Sequence, residues 1–236
     1  MLRFVEQIAV IGCGGIGSWL LGPLLRLLEA QRFAGDVHLW DGDRYSPANR
    51  DRQAFQPEAV GRFKAEAQAD VHRAACPSLR ITAHNDYVGP DNVQQAVVER
   101  ALVFTCVDNH PARVCIDRHS ATLRDVCVLS AGNERLDGNV HVSLRRAGRP
   151  HTAPLLERHP EIAAVTAGDR TEAGCGELIA QGETQLLVTN FLAAAAMLTA
   201  FHTLWTPAER KRRTAVPQEL YFDVAQGALS LVPAAV

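Results

Sequence analysis

The 236-residue sequence lacks a large net charge of either sign, because its 24 Lys and Arg residues are nearly balanced by 26 Asp and Glu residues. Proteins that bind nucleic acid or an anionic membrane surface through electrostatics carry a clear excess of basic residues. The formal net charge of −2 therefore argues against both kinds of partner. The one basic cluster, at residues 209–213, is short and is expected to be a solvated helix end.

Closely spaced cysteine pairs are also absent. The six cysteines stand at positions 13, 76, 106, 115, 127 and 175, and no two have C-x-x-C spacing. This excludes the usual cysteine zinc site, and we expect no structural zinc. Most of these cysteines fall in apolar patterns, where a free thiol packs as a small core residue. We therefore expect a reducing, cytoplasmic setting, and no signal peptide, because the first strand begins almost at once.

Long uncharged runs are scarce, and the sequence has no internal repeat. The exception, Leu186–Trp205, has 20 residues without a formal charge, which is long enough to span a bilayer. However, it contains five Ala, three Thr, Asn190 and His202, and it is the only such segment. A helix buried between a sheet and another surface explains it better, so we expect no membrane span. Its apolar surface exceeds what one sheet face covers, which predicts a homodimer.

A glycine-rich turn stands near the N-terminus. The stretch "VIGCGGIGSW" satisfies G-x-G-x-x-G through Gly12, Gly14 and Gly17, and it contains a fourth glycine, Gly15. It follows a candidate strand, Gln7 to Ile11, and opens a candidate helix. Such a loop lets the backbone approach a ligand closely, and the helix N-terminus attracts an anion. The alternative is a glycine-rich turn that binds nothing, and the loop alone does not specify which nucleotide it would hold.

Strand and helix patterns alternate along the first half of the chain. Candidate strands lie at residues 7–11, 37–41, 79–84, 101–108 and 126–131, with candidate helices at 15–29, 60–75, 92–100 and 111–123. This order predicts an α/β fold with a doubly wound, Rossmann-like, mostly parallel sheet. From residue 138, alternating patterns indicate antiparallel strands, including a hairpin-like pair near the C-terminus. Residues 147–176 are expected to form a long irregular loop. We predict one domain over residues 1–236, with a nucleotide-binding half at about 1–135 and the antiparallel part at about 136–236.

Candidate binding residues cluster after the second strand, which ends in Asp41. A nucleotide fold places an acid at this position to bind ribose hydroxyls, and enzymes that use NAD do so too. The residues that follow include Asn49, Arg52 and Gln53, whose amide and guanidinium donors suit a triphosphate. Lys64 lies in the next helix, and Asp108 ends a buried strand, where it could hold Mg²⁺. Each residue also has a structural explanation: Arg52 could be an exposed loop arginine, Lys64 a solvated helix lysine and Asp108 a helix cap.

At these residues the sequence resembles a known family. "GCGGIGS", "D-x-D-x-x-x-x-x-N-x-x-R-Q", "VG-x-x-K" and "CVDN" are similar to motifs of the adenylating domain shared by ubiquitin-activating enzymes and the bacterial ThiF, MoeB and HesA proteins. The resemblance covers about residues 7 to 145, and the overall pattern is most similar to ThiF-type proteins of PRTRC plasmid cassettes. It implies an adenylyltransferase that uses ATP and Mg²⁺. The expected substrate is the C-terminal carboxylate of a small ubiquitin-fold partner, and the other product is pyrophosphate.

The resemblance also assigns roles to individual residues. Asp41 would bind ribose, Asn49, Arg52 and Gln53 would hold phosphates, Lys64 would contact them, and Asp108 would coordinate magnesium. The four glycines, Asp43 and Asn109 complete the predicted nucleotide site. The family's N-terminal arginine is missing, with Arg3 the only nearby candidate. Cys175, in a polar loop, is a candidate acceptor of the activated carboxyl group, or else an incidental cysteine.

Two other functions remain open at this stage. A nicotinamide-dependent oxidoreductase would share the glycine loop and the ribose acid, but no hydride-transfer acid or base is evident. A non-catalytic subunit that binds a ubiquitin-like protein would share the fold, but intact Arg52, Lys64 and Asp108 argue against it.

Overall fold

One sheet runs through the whole described part of the protein. The computed structural model describes residues 4–164, 187–205 and 216–233. Its strands are Gln7–Ile11 (β1), Asp36–Trp40 (β2), Arg80–His84 (β3), Ala101–Thr105 (β4), Val126–Asn133 (β5), Asp137–Arg146 (β6), Arg149–Pro150 (β7), Pro217–Asp223 (β8) and Ala228–Pro233 (β9). Its α-helices are Gly15–Ala30 (α1), Lys64–Ala75 (α2), Val93–Ala96 (α3), His110–Ser120 (α4), Leu155–Arg158 (α5), Glu161–Ala164 (α6) and Leu187–Trp205 (α7). Two short 3₁₀ helices cover Pro47–Asn49 and Pro57–Ala59.

The strand order is β3-β2-β1-β4-β5-β6-β8-β9, with β7 paired to β6. Strands β1 to β5 are parallel, whereas β6, β8 and β9 each run antiparallel to the preceding strand in this order. The order reverses between β1 and β4, and ligands bind outside the carboxyl ends of the strands at such a point. The predicted α/β fold class and the hairpin-like C-terminal pair are confirmed.

Both faces of the parallel sheet are covered by helices. The alternation of side chains along a strand explains this: in β1, Ile8 and Val10 join the core under α1 and α7, whereas Ala9 and Ile11 join the core under α3 and α4. On the first face, Leu24 of α1 and Phe201 of α7 are among the fully buried side chains. This packing fixes the ends of β1, β2 and β4 around one crevice.

Helix α7 occupies most of the uncharged run. Among the described residues it is the one helix long and apolar enough to cross a membrane, and half of it is buried within the protein. It packs against α1 and strands β5, β6 and β8, as expected for a core helix. Within the described part of the chain, its first turns leave Leu187, Val188 and Phe191 exposed.

The structure corrects three element predictions. The helix predicted to begin at residue 60 begins at Lys64, because Gly61 takes a left-handed φ of 88° and the chain turns there. The helix predicted at 92–100 is limited to Val93–Ala96, since the next residue is extended. The loop predicted at 147–176 contains β7, α5 and α6 in its described part, and the rest lies outside the described residues.

Candidate active site

A cavity of about 1170 Å³ opens at the carboxyl ends of β1, β2 and β4. It brings together nearly all of the predicted nucleotide-binding residues, although they come from five separate stretches of chain. The predicted residues that line it are Gly12, Gly14, Gly15, Asp41, Asp43, Asn49, Arg52, Gln53, Lys64, Asp108 and Asn109. The structure therefore brings these predicted residues together around one cavity.

Gly17 is the exception within the glycine loop, because it does not line the cavity. A Cβ atom at this position would overlap the carbonyl oxygen of Gly12. Gly12 itself has a φ of 94°, and a Cβ there would lie 2.7 Å from the carbonyl oxygen of Cys106. Gly17 lets the first turn of α1 pack against the loop, and its assignment to cofactor binding stays a prediction.

The middle glycines face the cavity. A Cβ on Gly14 would lie 3.6 Å from Gln53 Nε2 and 3.8 Å from Lys64 Nζ. The space above Gly14 is thus surrounded by an amide donor and a cation, which is the chemistry that a phosphate group requires. A Cβ on Gly15 would instead lie 2.9 Å from the amide of Asn190, so Gly15 leaves room for that side chain.

Asp41 links the end of β2 to the glycine loop. Its Oδ2 accepts a hydrogen bond from the Cys13 backbone N–H at 2.7 Å, and its Oδ1 accepts one from the Asp43 N–H at 2.8 Å. Burial raises the pKa of Asp41, although Lys64 and the two backbone donors oppose this effect. Each carboxylate oxygen retains a free acceptor site. Asp41 therefore shapes the loop and can still accept hydroxyl donors from the cavity.

Lys64 is the first residue of α2, and its side chain is only 8% exposed. Its ammonium group lies 2.9 Å from Asp43 Oδ2, while the Tyr87 hydroxyl donates to Asp43 Oδ1 at 2.6 Å. Burial opposes ionisation of Asp43, but hydrogen bonds from Tyr87 and Lys64 outweigh it and lower the pKa of this carboxyl group. A solvated helix lysine is thus excluded. Sequence reasoning missed Tyr87, which no motif marks.

Arg52 is buried, with 3% of its surface exposed, which excludes an exposed loop arginine. Its Nη1 donates to the Ala48 carbonyl at 2.8 Å. Within the described chain, Arg52 Nε and Gln53 Oε1 are buried and have no hydrogen-bond partner. Buried polar atoms without partners are rare in folded proteins, and they indicate a place where a ligand or water completes the network.

Asn49 is also buried, but its Oδ1 accepts from the Ser46 backbone N–H at 2.9 Å. This contact stabilises the 3₁₀ turn that precedes Arg52. Asn49 therefore has a structural role in addition to its place in the cavity wall.

Asp108 and Asn109 follow β4, which ends at Thr105 rather than at Asp108 as predicted. The residue that caps α4 is Asn109 and not Asp108: Asn109 Oδ1 accepts a hydrogen bond from the Ala112 N–H at 2.9 Å at the start of the helix. Asp108 lines the cavity beyond the carboxyl end of β4. Its carboxylate suits a hard cation such as Mg²⁺, which binds oxygen ligands.

Asn190 is a site residue that sequence reasoning did not assign. It is fully buried on α7 and accepts from Asn133 Nδ2 at 3.0 Å, and its own Nδ2 lies 3.4 Å from the Arg52 carbonyl oxygen. It thereby ties the core helix to the arginine loop and to the end of β5. The one available signal was an asparagine within the long uncharged run.

Two predicted residues, Arg3 and Cys175, lie outside the described residues. The five cysteines that lie within the described residues are free thiols. Burial raises the pKa of Cys106 to about 12 and that of Cys13 well above its usual range. Both therefore remain protonated thiols at neutral pH, as expected for structural residues.

The chain is similar in sequence to known proteins. Over 176 residues the chain is 28% identical to ubiquitin-like modifier-activating enzyme 5 of Xenopus laevis, covering 70% of this chain and 42% of that protein. Over 105 residues it is 38% identical to tRNA threonylcarbamoyladenosine dehydratase of Escherichia coli, covering 44% and 37% of the two chains. The chain thus spans less than half the length of these two relatives.

The fold matches solved structures over 99% of this chain. Escherichia coli MccB with ATP superposes with a TM-score of 0.69 at 14% identity, and PaaA with a TM-score of 0.68 at 14% identity. These matches cover 66% and 65% of the MccB and PaaA chains. The sequence profile of the ThiF family matches residues 2–223. Since that match includes the glycine loop, the arginine loop and the antiparallel strands, the chain belongs to the ThiF family.

Proposed function

We propose that this protein uses ATP to adenylate a substrate carboxylate, with release of pyrophosphate. The observation that carries the proposal is the pair of buried cations beside the glycine loop. Arg52 and Lys64 are 3% and 6% exposed, both line the cavity, and Lys64 Nζ would lie 3.8 Å from a Cβ atom on Gly14. Buried cations at the N-terminus of a helix form a strong site for a polyphosphate.

In this proposal, different cavity residues contact different parts of the nucleotide. The turn at Gly14 and Gly15 lets the phosphates approach the N-terminus of α1. Arg52, Lys64 and Gln53 provide the donors on the other side of that space. Asp41 lies at the end of β2, where a doubly wound fold binds ribose hydroxyls. A triphosphate uses all three donors, which is why ATP fits this arrangement better than the diphosphate of a nicotinamide cofactor.

In the proposed reaction, a carboxylate oxygen of the substrate attacks the α-phosphorus of ATP. The bond from that phosphorus to the bridging oxygen breaks, and pyrophosphate leaves with its electron pair. Arg52 and Lys64 hold the two anionic reactants together and stabilise charge on the leaving group, so no protein nucleophile is needed. Asp108 would hold a Mg²⁺ ion, which would neutralise phosphate charge. The finished product is a mixed anhydride of the substrate carboxyl group with AMP.

The substrate is proposed to be the C-terminal carboxylate of a small ubiquitin-fold protein. One supporting observation is that the cavity extends beyond the glycine loop to Asn139, Tyr221 and Ser230 on the antiparallel strands, which leaves room for a peptide end. A second is that relatives include ubiquitin-like modifier-activating enzyme 5, and that MccB has been crystallised with MccA. A homodimer through the exposed face of α7 and transfer of the activated group to Cys175 belong to the same proposal.

The first test compares ligands without any partner. Thermal unfolding is measured with ATP and Mg²⁺, with NAD⁺ and with NADP⁺. Ligand at 100 times its dissociation constant should stabilise the protein by about 2.7 kcal/mol. Of these ligands, we expect only ATP with Mg²⁺ to stabilise the protein. Stabilisation by NAD⁺ or NADP⁺ but not by ATP would instead support the oxidoreductase.

The second test separates an enzyme from an inert binding subunit. Exchange of labelled pyrophosphate into ATP is measured with a candidate ubiquitin-fold partner and with the same partner amidated at its C-terminus. We expect exchange only with the free carboxylate. ATP binding without exchange for any carboxylate partner would favour the non-catalytic subunit.

A further inference from the structure

A second polar cluster lies beside the cavity, away from the glycine loop, and His159 of this cluster lines the cavity. His141 on β6 and Glu219 on β8 are directly opposite each other in the antiparallel pair. Their side chains are 1% and 0% exposed. His159, just after α5, reaches the same carboxylate from the α5–α6 segment. One ligand atom from each residue lies within 4.8 Å of the others.

Both imidazole rings are oriented toward Glu219 Oε1. Nδ1 of His141 lies 3.3 Å from this oxygen, and Nε2 of His159 also contacts it. The other oxygen, Oε2, is held by the Tyr221 hydroxyl at 2.9 Å and by Arg158 Nη2 at 3.3 Å. Oε1 therefore faces two ring nitrogens and is the free ligand atom of the carboxylate.

The opposite nitrogen of each ring already has an acceptor. Nε2 of His141 lies 3.0 Å from the Ala153 carbonyl oxygen, and Nδ1 of His159 lies 3.0 Å from Glu161 Oε1. A neutral imidazole has one N–H, and these acceptors place it on the far nitrogen. The nitrogen nearer Glu219 then carries a lone pair that points at the carboxylate. This contact is repulsive unless a cation lies between the two atoms.

Gln218 does not remove this conflict. Its Nε2 lies 3.3 Å from His141 Nε2, but its two N–H donors also face the carbonyl oxygens of Val142 at 3.3 Å and Ala153 at 3.2 Å. These two carbonyls account for both donors. Hydrogen bonding alone satisfies the cluster only if both histidines carry a second proton.

We propose that His141 Nδ1, His159 Nε2 and Glu219 Oε1 bind a divalent transition-metal ion, for which Zn²⁺ is the natural candidate. Two histidines and one carboxylate are an established ligand set for Zn²⁺, with bonds of about 2.0–2.2 Å that place neighbouring ligands about 3.4 Å apart. The distance of 3.3 Å between His141 Nδ1 and Glu219 Oε1 matches this spacing. His159 Nε2 lies closer to Oε1 than two zinc ligands do, so this ring would move away from the carboxylate when the ion binds. Ala153 and Glu161 serve as the outer partners that orient metal-binding histidines.

The ion would join a loop segment to two strands that already pair with each other through their backbones. It would tie the α5–α6 segment to β6 and β8, and His159, Glu161 and Tyr221 all line the main cavity. The proposed site is thus a clamp on the cavity wall. It differs from the cysteine zinc site that the sequence excludes, and it does not depend on the adenylation proposal.

The experiment uses untagged protein treated with a chelator and dialysed, without ATP or partner. Zn²⁺ binding is measured by calorimetry, and Co²⁺ is used as a spectroscopic probe. We expect one equivalent of Zn²⁺ and visible Co²⁺ bands without the thiolate charge-transfer bands that a cysteine site produces. X-ray absorption of the zinc-loaded wild type should show a nitrogen and oxygen shell that includes two imidazoles.

Variants locate the site. His159→Gln should weaken Zn²⁺ binding by more than about 100-fold, since loss of an outer partner alone costs 10- to 100-fold. His151→Gln is the matched control, because His151 is an exposed histidine nearby in the chain. Equal binding by the two variants, sulfur in the zinc shell, or no zinc bound by the wild type would each overturn the proposal. The last result would mean that two doubly protonated histidines satisfy the cluster.

Discussion

Replacing Arg52 by alanine is expected to abolish tight ATP binding while the fold survives. Arg52 is 3% exposed, so its guanidinium group contributes in a site with little competing water. A hydrogen bond to a charged group contributes about 1.5–3 kcal/mol. The loss of one phosphate contact should therefore raise the dissociation constant for ATP by about 10- to 100-fold.

The effect on stability should be smaller, because two opposing contributions offset each other. Removing the hydrogen bond from Nη1 to Ala48 costs about 1.5–3 kcal/mol, whereas removing a buried donor without a partner recovers about 1–3 kcal/mol. The Arg52 backbone carbonyl, which accepts from the Trp19 indole N–H at 3.0 Å, is unchanged. We expect the free energy of unfolding to change by less than about 2 kcal/mol.

Arg50 provides the matched control, since it is exposed and only two residues away. Calorimetric titration with ATP and Mg²⁺ is measured for the wild type, Arg52→Ala and Arg50→Ala, together with urea unfolding of each protein. Arg50→Ala should bind ATP like the wild type. If Arg52→Ala retains wild-type affinity, or if both variants lose affinity equally, the assignment of Arg52 to the phosphates is refuted.

Four further predictions concern other parts of the structure. Asp108→Asn should lower substrate-dependent pyrophosphate exchange by about 10²- to 10³-fold, with unchanged unfolding; near-normal exchange would exclude Asp108 from the reaction. Gly17→Ala should prevent folding or greatly lower the midpoint of thermal unfolding, because its Cβ would overlap Gly12, whereas Gly89→Ala should not, since nothing lies within 4 Å of that position. Burial lowers the pKa of His38 and His84, which contact each other at 2.9 Å, so these histidines take up protons at a higher pH in the unfolded chain than in the folded protein. The stability contributed by the neutral pair should therefore be complete above about pH 6.5 and fall as the pH drops below it. Urea unfolding of His38→Gln should depend less on pH over this range than that of the wild type. Phe191→Glu, on the exposed face of α7, should convert a dimer to a monomer in sedimentation at micromolar concentration; a wild-type monomer under these conditions would contradict the homodimer.

The sequence by itself determined the fold class and the location of the candidate site. β1 was predicted with its observed bounds, Gln7–Ile11, because a buried strand is a short apolar run that ends at glycine. The cavity residues were found because their positions depend on local rules. Glycines must stand at the strand-to-helix turn, and polar residues follow the carboxyl ends of parallel strands, which meet at one edge of the sheet.

Only the tertiary structure decided which side chains are buried and which share a contact. Whether Arg52 is exposed depends on packing against a distant part of the chain, where Asn190 of α7 contacts its carbonyl oxygen. Gly17 belongs to the same motif as Gly12 and Gly14, and the structure shows that a side chain at Gly17 would meet the backbone of the loop. His141, His159 and Glu219 have no recognisable spacing in sequence, because β6–β8 pairing and the α5–α6 turn bring them together. Contacts of this kind arise only when the whole sheet assembles, and no local pattern of residues specifies them.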